Sequence, residues 1–214
     1  MKKTLLLALT VMATIAAQAT LYPWNSGTLN SVVPDNNTNG WANSTVISGQ
    51  SGTIAPGSLQ VNLTLTGGWN GDLYAYLVNS SGGFAVLLDR VGQGTGSGST
   101  FTYGFDTAGM NVWLTDSTSF PSIDTTASPI SGGTYSRDGY TGGLSSFSNP
   151  NGTWSLFIAD LSGGDVTTVQ SWGLQMDIVA VPEVESWIAA ALAGAFGAFW
   201  VNRQIFHGTK SREN

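Results

Sequence analysis

The 214-residue chain has no cysteine, and its only histidine is His207, close to the C-terminus. Without cysteine there is neither a disulfide nor a thiolate nucleophile, so an apolar core must hold the fold. Charge is scarce as well, at 9% of residues. Between Thr20 and Val181 there is no lysine, glutamate or histidine; two arginines, Arg90 and Arg137, stand against ten aspartates, a net charge of −8. Such a surface repels phosphate backbones, which excludes nucleic acid as a partner and favours divalent cations, calcium in particular. Catalysis loses its usual parts too. No imidazole in this stretch can take a serine proton, and no lysine can act as a base. The aspartates fall mainly in Gly/Asn/Ser turns, where a short acceptor side chain caps the local backbone, rather than as an acid–base pair. No catalytic residue is expected.

What is present is the material of short strands and tight turns, 28 glycines among them. Ser58–Thr66 alternates, with Leu59, Val61, Leu63 and Leu65 on one face, and Leu73–Val78 follows with Leu73, Ala75 and Leu77. An opening strand is expected between Thr20 and Val33, with Leu29, Val32 and Val33 as apolar contacts, and further strands at Asn43–Ser48, Phe84–Asp89, Phe101–Phe105 and Met110–Leu114. Asp116–Gly143 has no sustained period and reads as a long loop. In Asn149–Met176, Trp154, Leu156 and Ile158 share one parity, as do Trp172, Leu174 and Met176, so the segment reads as a hairpin turning at Asp160–Asp165. The expected fold is an all-β antiparallel sandwich over roughly Leu29–Ile178.

Val33–Asn36 (Val-Pro-Asp-Asn), the Leu63–Gly82 stretch with its Gly71-Asp72-Leu73, Leu144-Ser145-Ser146-Phe147 and the Asn149–Met176 segment together resemble the P domain, or Homo B domain. That domain follows the catalytic domain of kexin- and furin-like proprotein convertases and of many secreted subtilisin-type proteases. The resemblance implies a galactose-binding-like jelly roll over residues 20–180. It also implies a serine endopeptidase association, although the catalytic domain itself is missing. Some members bind calcium, and Asp35, Asp72, Asp160 and Asp165 stand at strand ends in the matching motifs. These four are the candidate calcium ligands, with the turn-capping role as the alternative, since no contiguous calcium loop is present.

Both ends of the chain carry processing signals. Met1–Ala19 has Lys2 and Lys3, an apolar run and a small-x-small Ala17-Gln18-Ala19 end, the three regions of a signal peptide, with cleavage expected after Ala19. At the other end, Val181-Pro182-Glu183-Val184 precedes an apolar stretch at Trp187–Val201 and a basic tail. This end resembles the PEP-CTERM sorting signal of Gram-negative bacteria, with Val184 in place of the usual proline. It implies an exosortase-type processing enzyme as one partner and the membrane as another, through a transmembrane helix at about 187–201 within the segment 181–214. Fifteen apolar residues span roughly 22 Å, short of the ~30 Å bilayer core, which suits a transient or processed anchor. The chain is therefore expected in the envelope or outside the cell, as a non-catalytic module binding extracellular protein or polysaccharide. The alternative is an accessory domain of a secreted serine protease. Trp41, Trp69 and Trp113, at or near turns, are either rim packing or a stacking platform for sugar rings.

Overall fold

The computed structural model describes residues 18–93, 103–125, 131–138, 141–181, 192 and 195. The expected export signal, apart from Gln18 and Ala19, and the expected membrane helix, apart from residues 192 and 195, lie outside the described residues. Among the described residues no helix is long and apolar enough to cross a membrane.

Ala19–Ala180 forms one compact unit. Its strands, in chain order, are β1 (Ala19–Asn25), β2 (Ser31–Val32), β3 (Asn37–Ile47), β4 (Thr53–Ile54), β5 (Gln60–Gly67), β6 (Leu73–Asn79), β7 (Phe84–Asp89), β8 (Met110–Thr115), β9 (Ser131–Ser136), β10 (Gly152–Asp160) and β11 (Thr167–Val179). They make two sheets. One runs β1-β11-β5-β8-β9, with β2 and β4 also on β11; the other runs β3-β10-β6-β7. All of these pairings are antiparallel except β8 with β9, which is parallel.

The alternation read from the sequence sets which face each sheet buries. Val61, Leu63 and Leu65 of β5, Val112 and Leu114 of β8, and Trp172, Leu174 and Met176 of β11 supply one layer of the core. Leu73, Ala75 and Leu77 of β6 and Trp154, Leu156 and Ile158 of β10 supply the other. A buried indole N–H usually finds a partner. Trp154 donates to the Pro150 carbonyl at 2.9 Å, and Trp172 reaches across the layers to Asn43 Oδ1 of β3 at 2.8 Å.

Four sequence expectations change. Asn149–Met176 is not a hairpin: β10 and β11 belong to different sheets, and the connection between them crosses from one layer to the other. Their matching apolar parities arise because both strands face one core from opposite sides. The 103–105 part of the expected Phe101–Phe105 strand is loop, since Gly104 has φ +77 and packs on Gly71. The stretch read as a long loop at 116–143 contains β9, whose Ser-Gly-Gly-Thr-Tyr-Ser has no apolar period and takes its strand form from pairing with β8. Val32, expected inside, is 57% exposed, whereas Val33 is fully buried.

Gly40 tests how tightly β3 sits on β10. Its φ is +57, and a Cβ there would meet the Ile158 carbonyl and, at 2.6 Å, Phe157 Cζ. Gly27, at φ +69, has open space around it. Gly40→Ala should lower the unfolding free energy by more than about 1 kcal/mol, because alanine disfavours positive φ and here also clashes. Gly27→Ala should cost less. Urea unfolding of the two variants checks the order.

Candidate metal centre

The four aspartates singled out from the sequence come from three separate turns. Asp35 lies between β2 and β3 and its Oδ2 accepts the Gly164 N–H at 3.2 Å. Asp72 closes the 3-10 turn Asn70–Asp72 ahead of β6, and its carbonyl accepts the Leu161 N–H at 2.9 Å. Asp160 ends β10 opposite Leu73, and its Oδ1 accepts the Ser162 N–H at 3.2 Å. Asp165 is exposed in the connection to β11. The pairing of β10 with β6 and the Asx-type bonds of the turns hold these groups at one end of the sandwich.

The charges of the neighbouring aspartates act on Asp160 and Asp72. The Asp160 carboxyl is pushed up to about 6, first by burial and then by the charges of Asp72, Asp35 and Asp165, with the Ser162 N–H opposing. Burial also raises Asp72, with Asp165 adding to it, while Arg90 and Ser162 pull the other way. The Arg90 guanidinium stands 3.5 Å from Asp72 Oδ1 and offsets part of the negative charge.

Asp160 is 1% exposed, and its Oδ2 is buried without a hydrogen-bond partner. Three more buried atoms at this end lack partners: Asn70 Oδ1, Thr167 Oγ1 and Trp69 Nε1. Thr167 packs against Gly68, so its hydroxyl and the Asn70 turn are neighbours. Leaving such groups bare costs about 1–3 kcal/mol each. Three of these four atoms, on Asp160, Asn70 and Thr167, are carboxylate, amide and hydroxyl oxygens, the chemistry of calcium rather than of a soft metal, whereas the Trp69 N–H is a donor that cannot ligate a cation. Among the described residues, no group of three or more His, Cys, Asp or Glu side chains already converges on one metal position.

A second acidic group, where β7 ends beside the start of β6, was not singled out from the sequence. Asp138 is 8% exposed, and its Oδ2 accepts the Asp89 N–H at 3.2 Å. Its carboxyl is pushed up to about 7, first by burial and then by Asp124, with Asp89 adding. Burial raises Asp124 as well; its Oδ1 accepts the Gly92 N–H at 2.7 Å. Beside it, Arg137 bonds the Asp116 carboxylate and the carbonyls of Val86 and Gly142. Burial works to raise Asp116, but the bonds from Arg137 and from the Ser145 and Leu144 N–H groups outweigh it and hold its carboxyl below the ordinary range. The adjacent Arg137-Asp138 pair was the only hint, hidden in a stretch without period.

The three tryptophans considered as a sugar platform are dispersed. Trp41 packs on the core from β3, Trp69 lies in the β5–β6 turn, and Trp113 is on β8 opposite Asn62 and Thr134. Of the signal and sorting residues, Ala19 opens β1 opposite Val179, and Val181 is 62% exposed. Ala17, Pro182 and Glu183 lie outside the described residues.

No protein-family model matches the chain, and no curated protein is similar to it. Two solved structures are similar over about three quarters of its length. One is a complex of the Aeromonas sobria serine protease with its chaperone, at TM-score 0.40 and 15% identity, covering 76% of this chain and 27% of that one. The other is the Aeromonas sobria serine protease, also at TM-score 0.40 and 15% identity, covering 74% and 26%. The chain thus spans about a quarter of the length of the proteins it matches.

The raised carboxyls fix a pH dependence. An aspartate whose folded pKa lies above its unfolded value near 3.9 contributes stability that is present below about pH 4 and lost as pH rises through the folded pKa. For Asp160 the loss centres near 6 and for Asp138 near 7. In chelator, the urea midpoint should therefore fall between pH 4 and 7, and Asp160→Asn should flatten the lower part of that fall. A midpoint that stays level or rises across this range would contradict the assignment.

Proposed function

We propose that the chain is a non-catalytic exported module, a jelly-roll sandwich steadied at one end by calcium, that binds protein or glycan at the envelope or in the exopolysaccharide matrix. Exosortase-type processing at Val181-Pro182-Glu183 delivers it there. The observation that carries the reading is the buried, partnerless Asp160 Oδ2 set among Asp35, Asp72 and Asp165. Asp160 and Asp72 would hold the ion, with Asp35 and Asp165 completing the charge and Asn70 and Thr167 offering neutral oxygens. A bound calcium would offset the repulsion among these carboxylates and tie together the turns that carry them. The part played by the remaining surface is recognition, because the acidic, lysine-free unit offers neutral polar loops rather than a reacting constellation.

The P-domain motifs support a second reading, an accessory or stabilising domain for a separately encoded subtilisin- or kexin-like protease. Isolation of the native protein separates the two. Retention of matrix polysaccharide supports the first, and co-purification with a secreted protease supports the second. C-terminal mass mapping of the same material should show a chain ending near 181–185 in the surface fraction. A full-length chain confined to the membrane would refute the processing step.

Calcium has its own test. Ligand at about 100 times its dissociation constant stabilises by about 2.7 kcal/mol, roughly 5–10 °C for a domain of this size. Millimolar calcium should raise the melting temperature of the purified chain by that order, and Asp160→Asn should abolish most of the rise. Identical melts in chelator and in calcium would remove the metal from the proposal.

A further inference from the structure

Sheet edges offer unpaired N–H and C=O groups that attract other strands, and folded proteins usually blunt or cover them. Three of the four edges here are managed. The outer side of β7 is covered by residues 137–138 and 141–143: Val86 N–H donates to the Thr141 carbonyl, Asp138 N–H to that of Leu87 and Gly143 N–H to that of Phe84. The free side of β9 meets Pro121 and Ile123, which exchange backbone bonds with Ser136. β1 carries Pro23, which has no N–H to offer.

β3 has none of these devices. Its stretch Trp41–Ile47 pairs without interruption with Ile158–Gly152 of β10, and the register shift lies beyond it, towards Asn37. Among the described residues, nothing bonds the other side of its backbone. The seven residues contain no charge and no proline. Ala42, Ser44 and Val46 face outward and are exposed, Val46 at 71%.

We infer that this edge is a docking strand whose occupant is the same strand of a second copy, paired antiparallel about a two-fold axis through Ser44. The sequence is self-complementary in that register. The axis sets Val46 opposite Ala42 and Thr45 opposite Asn43, a large side chain meeting a smaller one on the outer face, and Ser44 opposite itself. Ser44 already shares a hydrogen bond of 2.7 Å with Ser155 of β10. Pairing would therefore extend one row of hydroxyls across the join, the kind of cross-strand contact that stabilises antiparallel pairs. Charge selects the location as well. Two units of net charge −8 repel, and they meet most easily where neither brings a carboxylate. The result is an isologous dimer with the two four-stranded sheets joined into one.

The absence of cysteine makes the test clean. Residues directly opposite on antiparallel strands have Cα atoms about 4.5–5.5 Å apart, within disulfide range. In the full chain, Ser44→Cys should give a disulfide-linked dimer under mild oxidation at least tenfold faster than Thr118→Cys, an exposed position away from the edge. Sedimentation should show a concentration-dependent dimer that Ser44→Lys weakens at least tenfold, because the new charges face each other at the axis, while the melting temperatures of the two chains agree at concentrations where both are monomeric. A wild-type chain that stays monomeric throughout, a dimer indifferent to Ser44→Lys, or equal cross-linking at positions 44 and 118 would each overturn the inference.

Discussion

The indole of Trp172 is the hinge pin of the sandwich. It is fully buried in one sheet, stacks edge-on with Trp24 at 4.6 Å and donates its N–H to Asn43 in the other sheet. Trp154 answers from the facing layer, stacked on Phe147 at 5.1 Å and bonded to Pro150. In a chain without disulfides, large aromatic groups of this kind remove the most area from water per side chain, beside a core that is mainly aliphatic. Their polar ends add direction that aliphatic side chains lack, fixing which strand of one sheet lies over which strand of the other.

Charge is arranged around this core rather than within it. Asp35, Asp72, Asp160 and Asp165 gather where β10 ends, and Asp89, Asp124 and Asp138 gather where β7 ends. Each set contains one aspartate that is nearly inaccessible, so each is a place where the fold tolerates an unfavourable group. Arg90 and Arg137, the only two cations of the unit, stand at these same places, on Asp72 and Asp116. The stability of the unit is therefore most sensitive to protons at its turns.

Local order was legible in the sequence, and long-range order was not. The alternation at Leu59–Leu65 and Leu73–Leu77, and the parities of Trp154 and Trp172, follow from the two-residue period of a strand with one buried face. That period says nothing about which sheet a strand joins, so adjacent β10 and β11 looked like a hairpin. It fails altogether for β9, where glycines and serines form a strand only because β8 is beside them. The first acidic group was visible because its members sit in turn motifs that carry a resemblance. Asp138 was invisible because its burial depends on β7, about fifty residues earlier, and on neighbours such as Asp124 that the sequence does not pair with it.

β11 is the spine of the larger sheet. It pairs with β1, β2, β4 and β5, and Ala19 at the start of the unit lies opposite Val179 at its end. A chain emerging from its N-terminus therefore makes β1 and β2 long before their partner exists. Nearly every residue must be released before this sheet can close, and the closure joins segments of very large sequence separation, which is slow. The larger sheet is therefore completed last, once β11 has joined strands from both ends of the unit.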